Sequence, residues 1–132
     1  MEDPQRLRFR DMRRLIHDAW QGRGDDGLQR FAQDLITLLL VHTYIHARLR
    51  SAQEIEFRTP DETEIVPVRG AKGKLRSVCA RLAVLVSADG IPESLYGGIV
   101  HGALPIAGTV RDVKLEFQNT AELVEFRIGL DQ

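Results

Sequence analysis

Hydrophobic positions recur at steps of three and four through the first fifty residues, then mostly at steps of two. Phe9, Met12, Ile16 and Trp20, with Leu15 and Ala19 beside them, have helical spacing, and Pro4 suits an opening turn because its missing N–H would be unpaired there anyway. The run from Gln21 to Gly27 breaks this pattern with three glycines, and Asp25 or Asp26 is placed to cap a following helix. Leu28, Phe31, Leu35, Leu38, His42, Ile45 and Leu49 then repeat as a heptad seam with one polar interruption, which predicts a second helix reaching Arg50. Ile36, Leu39, Leu40 and Val41 widen the apolar surface to most of its circumference, so this helix is expected to be covered on more than one side: by the first helix, by a sheet, or by another chain.

Beyond Arg50 the texture is that of strands and turns. Glu54 to Arg58 alternates polar and apolar residues, Thr59 to Glu62 is turn chemistry, and Ile65 to Val68 pairs back as an edge strand, given Pro67. Leu75, Val78, Cys79, Leu82, Ala83 and Val86 return to helical spacing and stop at Asp89-Gly90 and Pro92, although Val84 to Val86 also suits a strand. Leu95 to Leu104 reads as a strand interrupted by Gly97, Gly98 and Gly102, and Pro105 to Gly108 as a turn. Val113, Leu115 and Phe117, then Val124, Phe126, Ile128 and Leu130, alternate as the two arms of a hairpin. The expected architecture is a single α+β domain over 1–132. A helical hairpin fills 1–50, and 51–132 form a mostly antiparallel sheet of about five strands with one further helix near 75–88.

Composition narrows the functional classes. In 132 residues, 43% are hydrophobic and 28% charged, ordinary values for a globular chain. Eighteen Lys and Arg against 19 Asp and Glu leave a formal net charge of −1, so no bulk attraction to nucleic acid or anionic lipid is expected. The one cysteine, Cys79, cannot form an intrachain disulfide, and no apolar run approaches a membrane span or a secretory signal. These features lead to an expectation of a cytoplasmic protein.

Four places carry candidate chemistry. His42 and His46 lie four apart, within reach of one metal ion if both sit on a helix, but no glutamate follows His42 and no third ligand is spaced nearby. A seam histidine that packs or fixes register is the alternative. Arg69, Lys72, Lys74, Arg76 and Arg81 form a basic stretch around Gly70 and Gly73 at a helix start, an arrangement that suits an anion or phosphate but lacks the spacing of a Walker A loop. A solvated loop with its lysines turned outward is the plainer reading. Arg6, Arg10, Arg13 and His17 share a face of the first helix, whereas five acids between Glu54 and Glu64 stand against Arg58 alone, so charge is segregated along the chain. Cys79 falls on an apolar helix face and reads as a small buried hydrophobe.

No nucleophile elbow, dinucleotide fingerprint or zinc-protease motif is present. The expectation is therefore a non-enzymatic interaction or adaptor module with no cofactor and no metal. It would self-associate or join a larger complex through Leu35, Leu39, Leu40, His42, Ile45 and His46. Anion, phosphate or nucleic-acid binding through the basic stretch from Arg69 to Arg81 is the alternative, and a His42/His46 metal-dependent enzyme a more distant one.

Overall fold

The computed structural model describes residues 25–86 and 97–131. In chain order these form α1 (Asp25–Leu38), β1 (Tyr44–Ser51), β2 (Glu54–Arg58), β3 (Thr63–Pro67), α2 (Ala71–Val86), β4 (Gly97–Ile106), β5 (Thr109–Asn119) and β6 (Val124–Leu130). The six strands make one sheet in the order β3-β2-β1-β6-β5-β4, with every neighbouring pair antiparallel. Two α-β-β-β units thus follow one another, and their first and last strands, β1 and β6, meet at the centre.

The α+β class stands, with two corrections. The helix expected to run to Arg50 ends at Leu38, so no helical hairpin over 1–50 is supported; the first predicted helix lies outside the described residues. The sheet has six strands because Tyr44–Ser51 is β1. The helix tightens at its end, where the amides of Leu39, Leu40 and Val41 donate to the carbonyls three residues back, at 3.0 Å each. Beyond it, Val41, Thr43, Tyr44 and Ile45 are β-branched or aromatic, residues that lose rotamer freedom in a helix and fit a pleated surface.

Period-two alternation settles which side of each strand is buried. Ile45 and Ala47 of β1, Ile55 and Phe57 of β2, Phe126 and Ile128 of β6, and Val113, Leu115 and Phe117 of β5 lie on one face and form the core. Both helices cover that face. α2 buries Ala71, Leu75, Val78, Cys79, Leu82, Ala83 and Val86 against it, a stripe at steps of three, four and one. α1 packs beside α2 and brings Phe31 edge-on to Phe57, with ring centroids 6.0 Å apart and planes at 72°.

The turns have legible causes. Ala107 and Gly108 both take positive φ (53° and 80°), the backbone of a two-residue hairpin turn, so the β4–β5 turn is tighter than the Pro105–Gly108 expected and β4 runs on to Ile106. The turns after β2 and β5 are built alike. In each, a threonine amide donates to the carbonyl three residues on (Thr59 to Glu62, 2.9 Å; Thr120 to Leu123, 2.8 Å). The threonine hydroxyl oxygen also accepts from that residue's amide, at 3.2 Å and 2.8 Å. The same turn recurs at the same place in both units, although Thr-Pro-Asp-Glu and Thr-Ala-Glu-Leu share only their first residue.

Candidate interaction surface

With both helices on one face, the opposite face of the sheet is uncovered among the described residues. Strand pairing sets its side chains in rows. One row reads Ile65, Glu56, Arg48, Glu125, Gln118, and the next reads Thr63, Arg58, His46, Arg127, Glu116, Ile99. Opposite charges alternate along the first row (Glu56, Arg48, Glu125), and its acids face Arg58 and Arg127 of the second, the arrangement that stabilises cross-strand neighbours. Glu56, almost buried, takes Arg48 Nε at 3.0 Å and Arg58 Nη2 at 3.1 Å on one carboxylate oxygen. His46 Nε2 lies 2.9 Å from Glu125 Oε2, between Arg58 and Arg127 in its row. Lys114 Nζ reaches Glu116 Oε1 at 2.9 Å; this bond holds the Glu116 carboxyl below its ordinary value and the Lys114 ammonium above its own.

The face changes character at its β4 border. Gly97–Ile106 contains no aspartate, glutamate, lysine or arginine. Ile99 is 58% exposed there, His101 and Ala103 are exposed beside it, and His101 Nδ1 lies 3.3 Å from Asp131 Oδ2. At the glycine end of β4 the missing side chains leave a shallow depression of about 650 Å³ bordered by Gly97, Gly98, Glu116, Gln118 and Arg127.

The residues expected to dock a partner sit elsewhere. Leu35, Leu39 and Ile45 are buried within the one chain, and Leu40 is half-buried against the same core. The apolar excess around 35–41 is absorbed internally because the helix stops at Leu38 and the chain turns back into the sheet. Of that set only His46 belongs to the uncovered face, and it is itself almost covered. Exposed Ile99, His101 and Ala103 were not singled out by the sequence, though a ten-residue strand without a charge, in a chain where 28% of residues are charged, is a signal that can be read from it.

His42 and His46 do not converge. The His42 ring is buried, with Nδ1 3.6 Å from Asp61 Oδ2 and Nε2 4.0 Å from Glu62 Oε1, so its two nitrogens face two different carboxylates of the β2–β3 turn. His46 is engaged with Glu125 instead. Among the described residues no three His, Cys, Asp or Glu side chains are grouped to hold a metal ion.

The basic stretch is drawn into the fold. Lys72 Nζ donates to the Ala121 carbonyl at 2.5 Å and Arg76 Nη2 to the Thr120 carbonyl at 2.6 Å, so both cations fasten the first turns of α2 to the β5–β6 turn. Arg69 is exposed beside Gly70, whose φ of 69° lets the chain enter the helix. Lys74 and Arg81 are half-buried along α2. Replacing Lys72 and Arg76 by methionine is expected to cost about 1.5 kcal/mol each, the low end for hydrogen bonds from charged donors. Urea melts measure this. Phosphate salts stabilise proteins generally by exclusion from their surface, so inorganic phosphate should raise the melting temperature of wild type and of the double methionine variant equally, and a saturable rise confined to wild type would favour the anion reading.

Cys79 lies in α2 against the sheet, its Sγ 3.9 Å from the Glu125 carbonyl oxygen. Burial first, and the Glu125 carboxylate second, push its thiol up to about 12. A raised thiol pKa means that its stability contribution is complete below the unfolded value and fades as pH rises past it, so no loss from this group is expected until pH exceeds about 9. At pH 8 the native protein should react with a disulfide reagent only as fast as it opens, and at full speed in denaturant. Rapid native labelling would show the thiol to be accessible.

No helix among the described residues is long and apolar enough to cross a membrane. No known protein-family model matches the chain, and no curated protein matches it in sequence.

Proposed function

We propose that this protein is a non-enzymatic interaction module that associates with protein, a second copy of itself included, through the uncovered face of its sheet and the uncharged strand β4 that borders it. The observation that carries this reading is the one-sided sheet: among the described residues, six strands with helices on one face only, and a wide opposite face of paired opposite charges bordered by an uncharged strand. Opposite charges laid out in fixed rows give register and partner choice more than raw affinity.

A binding role is favoured over a catalytic one by how the reactive groups are placed. Glu56 is taken by two arginines, His46 by Glu125, and Cys79 is buried with its proton held. A general base or nucleophile needs a free, tuned group beside a pocket, and these groups are committed to one another. A cytoplasmic setting belongs to the same reading and rests on the single free cysteine.

Sedimentation equilibrium over a hundredfold concentration range tests self-association. The expected result is a rise from monomer toward dimer with increasing concentration. A mass that stays monomeric throughout would refute self-association and leave only a foreign partner for this surface.

A further inference from the structure

We infer that a second copy of this chain pairs with β4, edge to edge and antiparallel about a two-fold axis at His101, so that two six-stranded sheets run on as one. This deepens the interaction reading above and rests on it.

The argument starts from backbone geometry. Ile106 and Thr109 flank the two-residue turn and close the hairpin as a hydrogen-bonded pair. In an antiparallel ladder hydrogen-bonded residues alternate with non-bonded ones, so Gly97, Ile99, His101 and Ala103 aim their N–H and C=O groups away from β5. Pro105 falls in the same series and has a carbonyl to offer but no N–H, which ends pairing at that point. No strand lies beyond β4 among the described residues. Among protein partners, such an open row of donors and acceptors is matched by an extended strand.

The two borders of the sheet differ. β3 has five residues, including Glu64, and ends at Pro67; short, charged and proline-bearing edges resist pairing. β4 has ten residues and none of the four charged types. A foreign strand would need a matching sequence, whereas a second β4 already has one. With His101 on the axis, Ile99 stands opposite Ala103 of the second copy, Val100 opposite Gly102, Leu104 opposite Gly98, and Pro105 opposite Gly97, where the depression lies. Apart from His101, which meets its own copy at the axis, each larger side chain meets a small one.

Charge does not oppose this pairing. The nearest lysines across the axis would be the two Lys114 residues, each one strand back, about 14 Å apart at the usual strand spacing. That exceeds the screening length of about 8 Å at physiological salt. The two His101 rings at the axis bring their own counter-charges, each with an Asp131 carboxylate beside it.

Cross-linking reads the register. Residues facing each other as a hydrogen-bonded antiparallel pair have Cα atoms about 5.5 Å apart, within the span of a disulfide. His101→Cys is exposed and expected to become mostly covalent dimer in a glutathione redox buffer, while buried Cys79 stays reduced. Ala103→Cys alone should stay uncross-linked, and mixing it with Ile99→Cys should restore the dimer. Placing lysine at both positions, Ile99→Lys with Ala103→Lys, should weaken self-association at least tenfold without changing the melting temperature of the monomer. If wild type sediments as a dimer but His101→Cys stays uncross-linked, edge pairing is overturned and the interaction module survives. A self-linked Ala103→Cys dimer would overturn the stated register. A wild type that sediments only as monomer would overturn edge pairing together with self-association.

Discussion

Phe57→Ala is expected to lower the free energy of unfolding by about 3–5 kcal/mol, the range for deleting a buried phenylalanine. Phe57 is fully buried on β2 and meets Phe31 of α1 edge to face, joining the first helix to the half of the sheet that lies farthest from β4. Part of the loss is transfer of the ring to water, and part is the cavity left under a helix that cannot collapse onto a strand pinned on both sides by β1 and β3. The aromatic geometry adds its own share of about 1 kcal/mol. Chemical denaturation of Phe31→Ala, Phe57→Ala and the double variant separates these parts. The coupling energy should match that share, and additive losses would mean that the rings do not interact as placed.

Gly102→Ala is the second large effect, and its cause is the reverse: too little room. A Cβ at position 102 would fall within the Val86 carbonyl oxygen, 2.8 Å from the Val86 carbonyl carbon and 2.9 Å from its Cγ1. The backbone φ at Gly102 is not positive, so the glycine serves close approach and not a special conformation. Carbonyl atoms cannot swing aside like the tip of a flexible side chain. To admit even a methyl group, the end of α2 must lift from β4, at a cost of about 3 kcal/mol, the upper end for overpacking. A domain of this size should then melt roughly 10 °C lower. Gly108, in contrast, has nothing near a would-be Cβ and is held by its φ of 80°. Alanine there should cost about 1 kcal/mol through left-handed backbone strain. If position 102 tolerates alanine as well as position 108 does, the contact between α2 and β4 is wrong.

Most of the sheet could be read from the chain because its strands carry the period-two signature unopposed. β5 and β6 alternate cleanly, and β2 and β3 are bracketed by turn residues. β1 was hidden by an arithmetic coincidence. Ile45 and Leu49 are four residues apart, a step that fits one turn of helix and also two repeats of a strand. Placed after Leu28, Phe31, Leu35 and Leu38, they continue a heptad; taken with their neighbours, Ile45-His46-Ala47-Arg48-Leu49-Arg50 alternates strictly. The second pattern wins because the sheet can use it: Ile45 and Ala47 enter the core while His46 and Arg48 find Glu125 and Glu56 across the neighbouring strands. The first of these pairs joins residues nearly eighty positions apart, which local periodicity cannot register.

The functional surface was less legible for the same reason. A search for excess apolar surface leads to 35–41, where apolar residues are densest, yet Leu35, Ile36, Leu38 and Leu39 are inside and Leu40 and Val41 half-buried once the chain turns after Leu38. An unpaired edge is a property of backbone and topology, and only the strand order shows that β4 lies at a border while β1, just as strand-like, lies at the centre. The basic stretch was visible at once, but the carbonyls that Lys72 and Arg76 engage belong to a turn some forty-five residues later.

Amide hydrogen exchange, followed residue by residue at low and high protein concentration, weighs the sheet against the helix as the docking element most directly. Dilute protein should show slow exchange in α1 and α2, with Ile99, His101 and Ala103 exchanging fast while Val100, Gly102 and Leu104 are protected by β5. Concentration should then slow the odd-numbered amides of β4 and leave α1 unchanged. Protection that instead grows along residues 35–41, with β4 indifferent to concentration, would contradict the account and return the association surface to the helix.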